Sequence, residues 1–110
     1  MKHIGNNEGK NSAEHFDLLS PTIQESLLSW INCRICSSRK YSVNKSYVLK
    51  HIFEYESGNY VTNGQFKGAM LKFGYTPEDT DVMNWSFKIR VNRKRFIPLT
   101  SSEIGDISSL

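Results

Sequence analysis

Residues 46–75, SYVLKHIFEYESGNYVTNGQFKGAMLKFGY, decide how this chain is read. Tyr47, Val48, His51, Ile52 and Tyr55 recur at three- and four-residue steps, the spacing of one α-helical face, with Ser46 where an N-cap belongs. Glu54 to Ser57 run into Gly58, the residue best able to take the left-handed backbone that closes a helix. After a short β-rich link, Asn59 to Thr62, either Thr62 or Asn63 can cap a second helix. Phe66, Met70 and Phe73 share one side of it with Ala69 close by, Gly74 closes it and Tyr75 supplies the apolar contact beyond the cap. Asn63, Gln65, Lys67 and Lys72 are then expected to face outward, where such side chains reach a phosphate or a base edge. The stretch therefore reads as helix, turn, helix. That motif occurs in many small domains that never touch nucleic acid, so the flanking sequence has to decide between the readings.

On the N-terminal side, Ser20-Pro21 predicts a helix start, with Ser as N-cap and Pro at the first helical position. Ile23, Leu27, Trp30 and Ile31, widened by Leu28, form its apolar stripe, and the helix is expected to fade near Cys33 to Cys36. The connector SSRKYSVN, residues 37–44, reads as a loop, and Pro with three acids in Thr76 to Asp81 reads as a turn. Beyond it Trp85, Phe87, Ile89 and Val91 alternate with Ser86, Lys88 and Arg90, which predicts a β-strand over residues 84–91. Asn92-Arg93-Lys94 then turns the chain into a second strand, Arg95 to Leu99, completing a basic hairpin. Three helices followed by a basic two-stranded hairpin is the element order of a winged-helix domain, an α+β fold. The domain is expected over residues 16–99, between a flexible N-terminal segment, 1–15, and a Ser-rich flexible tail, 100–110.

Charge placement says more than net charge. The 110 residues carry 14 Lys and Arg against 11 Asp and Glu, a net charge of +3 that only weakly favours an anionic partner. Acids are, however, absent from Ser26 to Phe53, which holds Arg34, Arg39, Lys40, Lys45 and Lys50. They are absent again from Val82 to Ser102, which holds Lys88, Arg90, Arg93, Lys94 and Arg95. If the fold joins these windows, the result is a phosphate-facing patch, with Lys88, Arg90, Arg93, Lys94 and Arg95 as its grip.

Other chemistry finds little support. Cys33-Arg34-Ile35-Cys36 has the spacing of a zinc or redox pair, but no second pair completes a structural zinc site, so two reduced thiols are expected and no metal or cofactor. His51 with Glu54, and Glu78, Asp79 and Asp81 after Pro77, are the available acid–base groups; both read as ordinary solvated charge, and no enzyme is expected. No apolar run reaches membrane-span length and no signal-peptide core precedes the domain, so a cytoplasmic, non-membrane protein is expected.

At SYVLKHIFEYESGNYVTNGQFKGAMLKFGY and the following NWSFKI, the chain resembles small proteins carried by phages, plasmids and other mobile elements of low-GC Gram-positive bacteria. The resemblance spans Ser46 to Ile89 and brings no residue assignments with it. Small proteins of that setting include anti-CRISPR inhibitors. The resemblance therefore implies a nucleic-acid or nucleoprotein-binding module whose partner is a type II effector, Cas9 or its guide RNA. A winged-helix transcriptional regulator, bound to DNA as a dimer, is the alternative expectation.

Overall fold

In the computed structural model, which describes residues 9–97, the Ser20-Pro21 signal works as expected: Ser20 Oγ accepts from the Ile23 N–H at 3.3 Å and α1 runs Pro21–Arg34. Leu27, Trp30 and Ile31 are buried along it. Without a break the chain enters β1, Ile35–Ser37, then crosses to α2, Ser46–Ser57, and α3, Asn63–Phe73; β2 is Ile89–Val91. Gly58 and Gly74 end the two central helices with φ of 77° and 112°, the left-handed backbone expected of them. Thr62 heads α3 in a full capping box, its hydroxyl accepting from Gln65 N–H while Gln65 Oε1 accepts from Thr62 N–H. The molecule is α+β, and among the described residues no helix is long and apolar enough to cross a membrane.

Trp30 sits at the centre of the core, with its ring 5.8 Å from that of Phe53 and 6.1 Å from that of Phe66, both edge-on. Leu27, Ile31, Leu49, Val61, Met70, Phe87 and Ile89 close around it. Leu49 and Phe53 are the fully buried apolar side chains of α2, rotated away from the expected stripe of Tyr47, Val48, His51, Ile52 and Tyr55, of which Ile52 packs partly buried on the core and the others are exposed. Helical spacing misled here because tyrosine tolerates both environments, and α2 buries the side that carries Leu49 and Phe53 instead. Ser46 likewise does not cap: its buried hydroxyl accepts from Trp85 N–H at 3.0 Å, and Lys45 holds the N-cap position with no side-chain bond.

The expected hairpin is replaced by a different pairing. β2 runs antiparallel to β1, with Ile35 opposite Val91, Cys36 opposite Arg90 and Ser37 opposite Ile89. The seam continues beyond the regular strands. Ser38, Ser42 and Ser46 donate their N–H groups to the carbonyls of Lys88, Phe87 and Trp85, and Asn92 N–H reaches Arg34 O. Arg93 to Ile97 form no strand, and Pro98 and Leu99 lie outside the described residues. The reason is that β1 already pairs with β2, while the other side of the same segment takes the Pro77–Phe87 bridge and the Glu78 N–H to Ser86 O bond. That double flanking also buries Ser86, which simple alternation had placed outside.

Residues 1–8 and the expected tail, 100–110, lie outside the described residues, but from Gly9 onward the N-terminal segment packs on α3. It forms two 3-10 turns, Gly9–Asn11 and Ala13–Leu18, and buries Phe16. Close approach depends on two glycines: a Cβ on Gly64 would run into the Ser12 backbone, and one on Gly68 into Ala13 O, with Phe16 Cβ 2.6 Å away. Gly68→Ala tests this. Helix propensity alone gives alanine an advantage of about 1 kcal/mol, whereas the steric conflict should reverse the sign and cost roughly 1–3 kcal/mol. Chemical denaturation that finds the variant more stable than wild type would show that the segment does not seat there.

Candidate functional site

The β1·β2 seam joins the two acid-free windows. Ser38 N–H bonds Lys88 O at 2.9 Å, which lays Arg39, Lys40 and Tyr41 beside the start of β2. Lys88 Nζ stands 5.2 Å from the centre of the Tyr41 ring, a cation–π contact. Within the sheet, Ile35, Ile89 and Val91 face the core, so Arg90 and its partner Cys36 face out. Past β2 the chain is held against the end of α1: Asn92 Nδ2 donates to Cys33 O at 2.8 Å and to Cys36 Sγ at 3.2 Å, and Lys94 N–H bonds Asn92 Oδ1 at 2.7 Å. Arg34 fastens the same segment by donating to the carbonyls of Asn92 and Lys94. These bonds present Arg93, Lys94 and Arg95 on the surface in continuation of Arg90.

The ten window cations divide into two groups. Arg34 is neutralised by Glu56, whose carboxylate takes Nε and Nη2 at 3.0 Å each and also the Trp30 indole N–H at 2.7 Å. Lys50 pairs with Glu54 at 3.0 Å, and Lys45 shares a surface cleft with Glu78 and Asp79. Arg39, Lys40, Lys88, Arg90, Arg93, Lys94 and Arg95 are exposed, and among the described residues none of them forms an ion pair. Tyr55, 90% exposed, adjoins this surface in a cleft with Arg34, Glu56, Arg93, Arg95 and Phe96, in which Glu56 is already paired with Arg34. Unpaired cations interleaved with exposed tyrosines are the materials of a phosphate- and base-contacting surface.

The α3 residues expected to join this surface do not. Asn63 and Lys67 are buried, and the Gln65 side chain is committed to the capping box. Asn63 Nδ2 lies within 3.0–3.1 Å of Asn11 Oδ1, Met83 O and Asn84 Oδ1, and Lys67 Nζ donates to Met83 O at 3.0 Å from a position 4.4 Å from the Trp85 ring centre. These two side chains hold the N-terminal segment and the turn at Met83–Asn84 onto the helix. Lys72 is exposed, but it lines a depression with Glu14 and Asp17. The sequence misplaced these residues because helical periodicity cannot tell solvent from a covering segment that is itself polar. Arg39, Lys40 and Tyr41 were missed as site residues, although the acid-free window that contains them was the available signal.

Cys33 and Cys36 are free thiols, and among the described residues no three His, Cys, Asp or Glu side chains gather as a metal site would require. His51 Nδ1 does meet Glu54 Oε1 at 3.2 Å, but Glu54 Oε2 is shared with Lys50 Nζ and the Val61 N–H, so this carboxylate ties α2 to the α2–α3 link. No protein-family model, curated protein or solved structure matches the chain.

Burial lowers the Lys67 ammonium from its ordinary 10.5 to about 8, because the charged form loses its hydration. Between those two values the unfolded chain keeps the proton and the folded chain releases it, so this group makes folding more favourable as pH rises through that window. The thermal midpoint of wild type should accordingly climb relative to Lys67→Met between about pH 8 and pH 10.5. Parallel midpoint curves for the two proteins would show that Lys67 does not titrate in that range.

Proposed function

We propose that this chain is a non-enzymatic nucleic-acid or nucleoprotein-binding module that grips phosphates through the β1·β2 surface. One observation carries the reading: the sheet brings two acid-free windows side by side and leaves Arg39, Lys40, Lys88, Arg90, Arg93, Lys94 and Arg95 exposed with no acidic partner among the described residues. A surface of one sign held on a short, firmly tethered sheet concentrates anions and fixes them in register. Taken with the mobile-element resemblance of Ser46 to Ile89, the most concrete form of the proposal is an anti-CRISPR inhibitor of a type II effector, touching Cas9 or its guide RNA.

A winged-helix DNA-binding regulator is the second reading. The element order α1, β1, α2, α3, β2 and the pairing of β1 with β2 favour it. It ranks lower because a groove-reading α3 needs a free face, and the first two turns of α3 are covered by the N-terminal segment and the Met83–Asn84 turn.

Two experiments separate the forms. A pull-down from a lysate containing a type II Cas nuclease and its guide, with and without RNase, should recover the nuclease or guide under the inhibitor reading; DNA alone, released by salt, would favour the regulator. Changing Arg93, Lys94 and Arg95 together to Ala should leave the melting curve intact and weaken binding. It should also flatten the logarithmic dependence of affinity on salt by roughly 2–3, since each phosphate contact contributes about 0.7–0.9. Unchanged affinity and salt slope would refute the phosphate grip.

A further inference from the structure

Away from the basic sheet, α2 and the α2–α3 link enclose an open cleft of about 430 Å³ whose walls are Tyr47 and Tyr60. Both rings are substantially exposed, at 49% and 63%, although neither is needed for the core. Between them lies Lys50, itself only 5% exposed, with Nζ 5.3 Å from the Tyr47 ring centre and 5.1 Å from that of Tyr60. Glu54 locks that ammonium at 3.0 Å and so fixes the spacing of the walls from below. Asn63 and Asn84 lie in the floor and Lys10 stands on the rim, within a lining whose exposed surface is mainly apolar. Asn63 is 5% exposed, and its Oδ1 is a buried acceptor with no hydrogen-bond partner among the described residues.

We propose that this cleft seats one unpaired nucleobase of a single-stranded nucleic acid. Two tyrosine faces supply stacking that every base can use, Asn63 Oδ1 offers an acceptor to a base edge while its Nδ2 is taken by Asn11, Met83 and Asn84, and Lys10 meets the neighbouring phosphate. Charge fits this occupant: Lys50 and His51 are tied to Glu54, so among the described residues the Lys10 ammonium is the lining charge left for a phosphate, and no carboxylate lines the cleft. Its position fits as well. Asn84 in the floor and Lys88 on the basic surface are four residues apart on one segment, so roughly 13 Å or less separates the two. A strand whose phosphates follow the sheet can therefore place a base in the cleft. The inference rests on the phosphate-gripping reading and adds to it the substrate class, a single strand in place of a duplex.

The test is titration of the full chain with a fluorescently labelled single-stranded oligoribonucleotide, the same strand annealed to its complement, and the same strand carrying abasic positions. Wild type should prefer the intact single strand over both others. Tyr60→Ala and Tyr47→Ala should each weaken single-strand binding by about fivefold or more, the usual effect of losing one stacked base, while duplex binding stays unchanged. The abasic strand needs no variant and so stands even if a tyrosine substitution disturbs folding. Equal binding of abasic and intact strands, still lost in the Arg93, Lys94 and Arg95 variant, would overturn the base seat and leave the phosphate grip standing. No binding of any oligonucleotide would overturn both. A protein partner whose capture depends on Tyr47 and Tyr60, with oligonucleotide binding indifferent to them, would overturn the base seat in favour of a peptide.

Discussion

Everything that faces outward from this fold is set by one backbone seam, in which the segment Trp85 to Asn92 bonds the segment Arg34 to Ser46. The regular part is only three residue pairs long, too short for an isolated two-stranded sheet to persist in water. What secures it is attachment at both ends. At one end Ser46 is buried and bonded through backbone and hydroxyl to Trp85; at the other, Arg34 and Asn92 cross-link the end of α1 to the residues after β2. Because α1 runs into β1 without a turn, fixing the sheet fixes the helix, and Glu56 then connects α1 to α2 through Trp30 and Arg34.

The seam also has an electrostatic consequence. Antiparallel pairing of two acid-free segments places their cations on one surface, and like charges so arranged repel one another unless an anion comes between them. The neutralised cations, Arg34 and Lys50, hold elements together; the unpaired ones lie where solvent, or a partner, can reach them. Among the described residues, Glu54 and Glu56 of α2 are used in ion pairs that hold elements together, and Glu78 and Asp79 line the cleft beside Lys45, away from the unpaired cations.

α3 illustrates how a covering segment changes the meaning of a helix. Its glycines admit backbone on the side opposite the core, so the helix is covered on both sides and its polar residues become internal fasteners. Lys67 is the extreme case: a buried ammonium that donates to the Met83 carbonyl beside the Trp85 indole face. Under the proposed function the recognition surface lies accordingly on the sheet and its flanking tyrosines in place of a helix, and a single strand suits it better than a duplex groove.

Local chemistry determined what could be read from sequence. Ser20-Pro21, Gly58 and Gly74 act within a few residues of themselves, so α1, α2 and α3 were legible, as was the α+β class, while the caps at Lys45 and at Thr62 rather than Asn63 came from the structure. The inward residues Trp85, Phe87 and Ile89 were legible too, since alternation is a property of an extended chain whatever it pairs with. Tertiary structure alone decided the partner of that strand, because Ile35–Ser37 carries no pattern that distinguishes it from a helix end, and strand pairing is settled by which edge is free. It likewise decided which faces of α2 and α3 are covered. Periodicity defines a face but not its neighbour, and here the neighbours come from distant parts of the same chain: the largely polar Asn11 to Phe16 over α3, and the aromatic core of Trp30 and Phe66 behind Phe53 of α2.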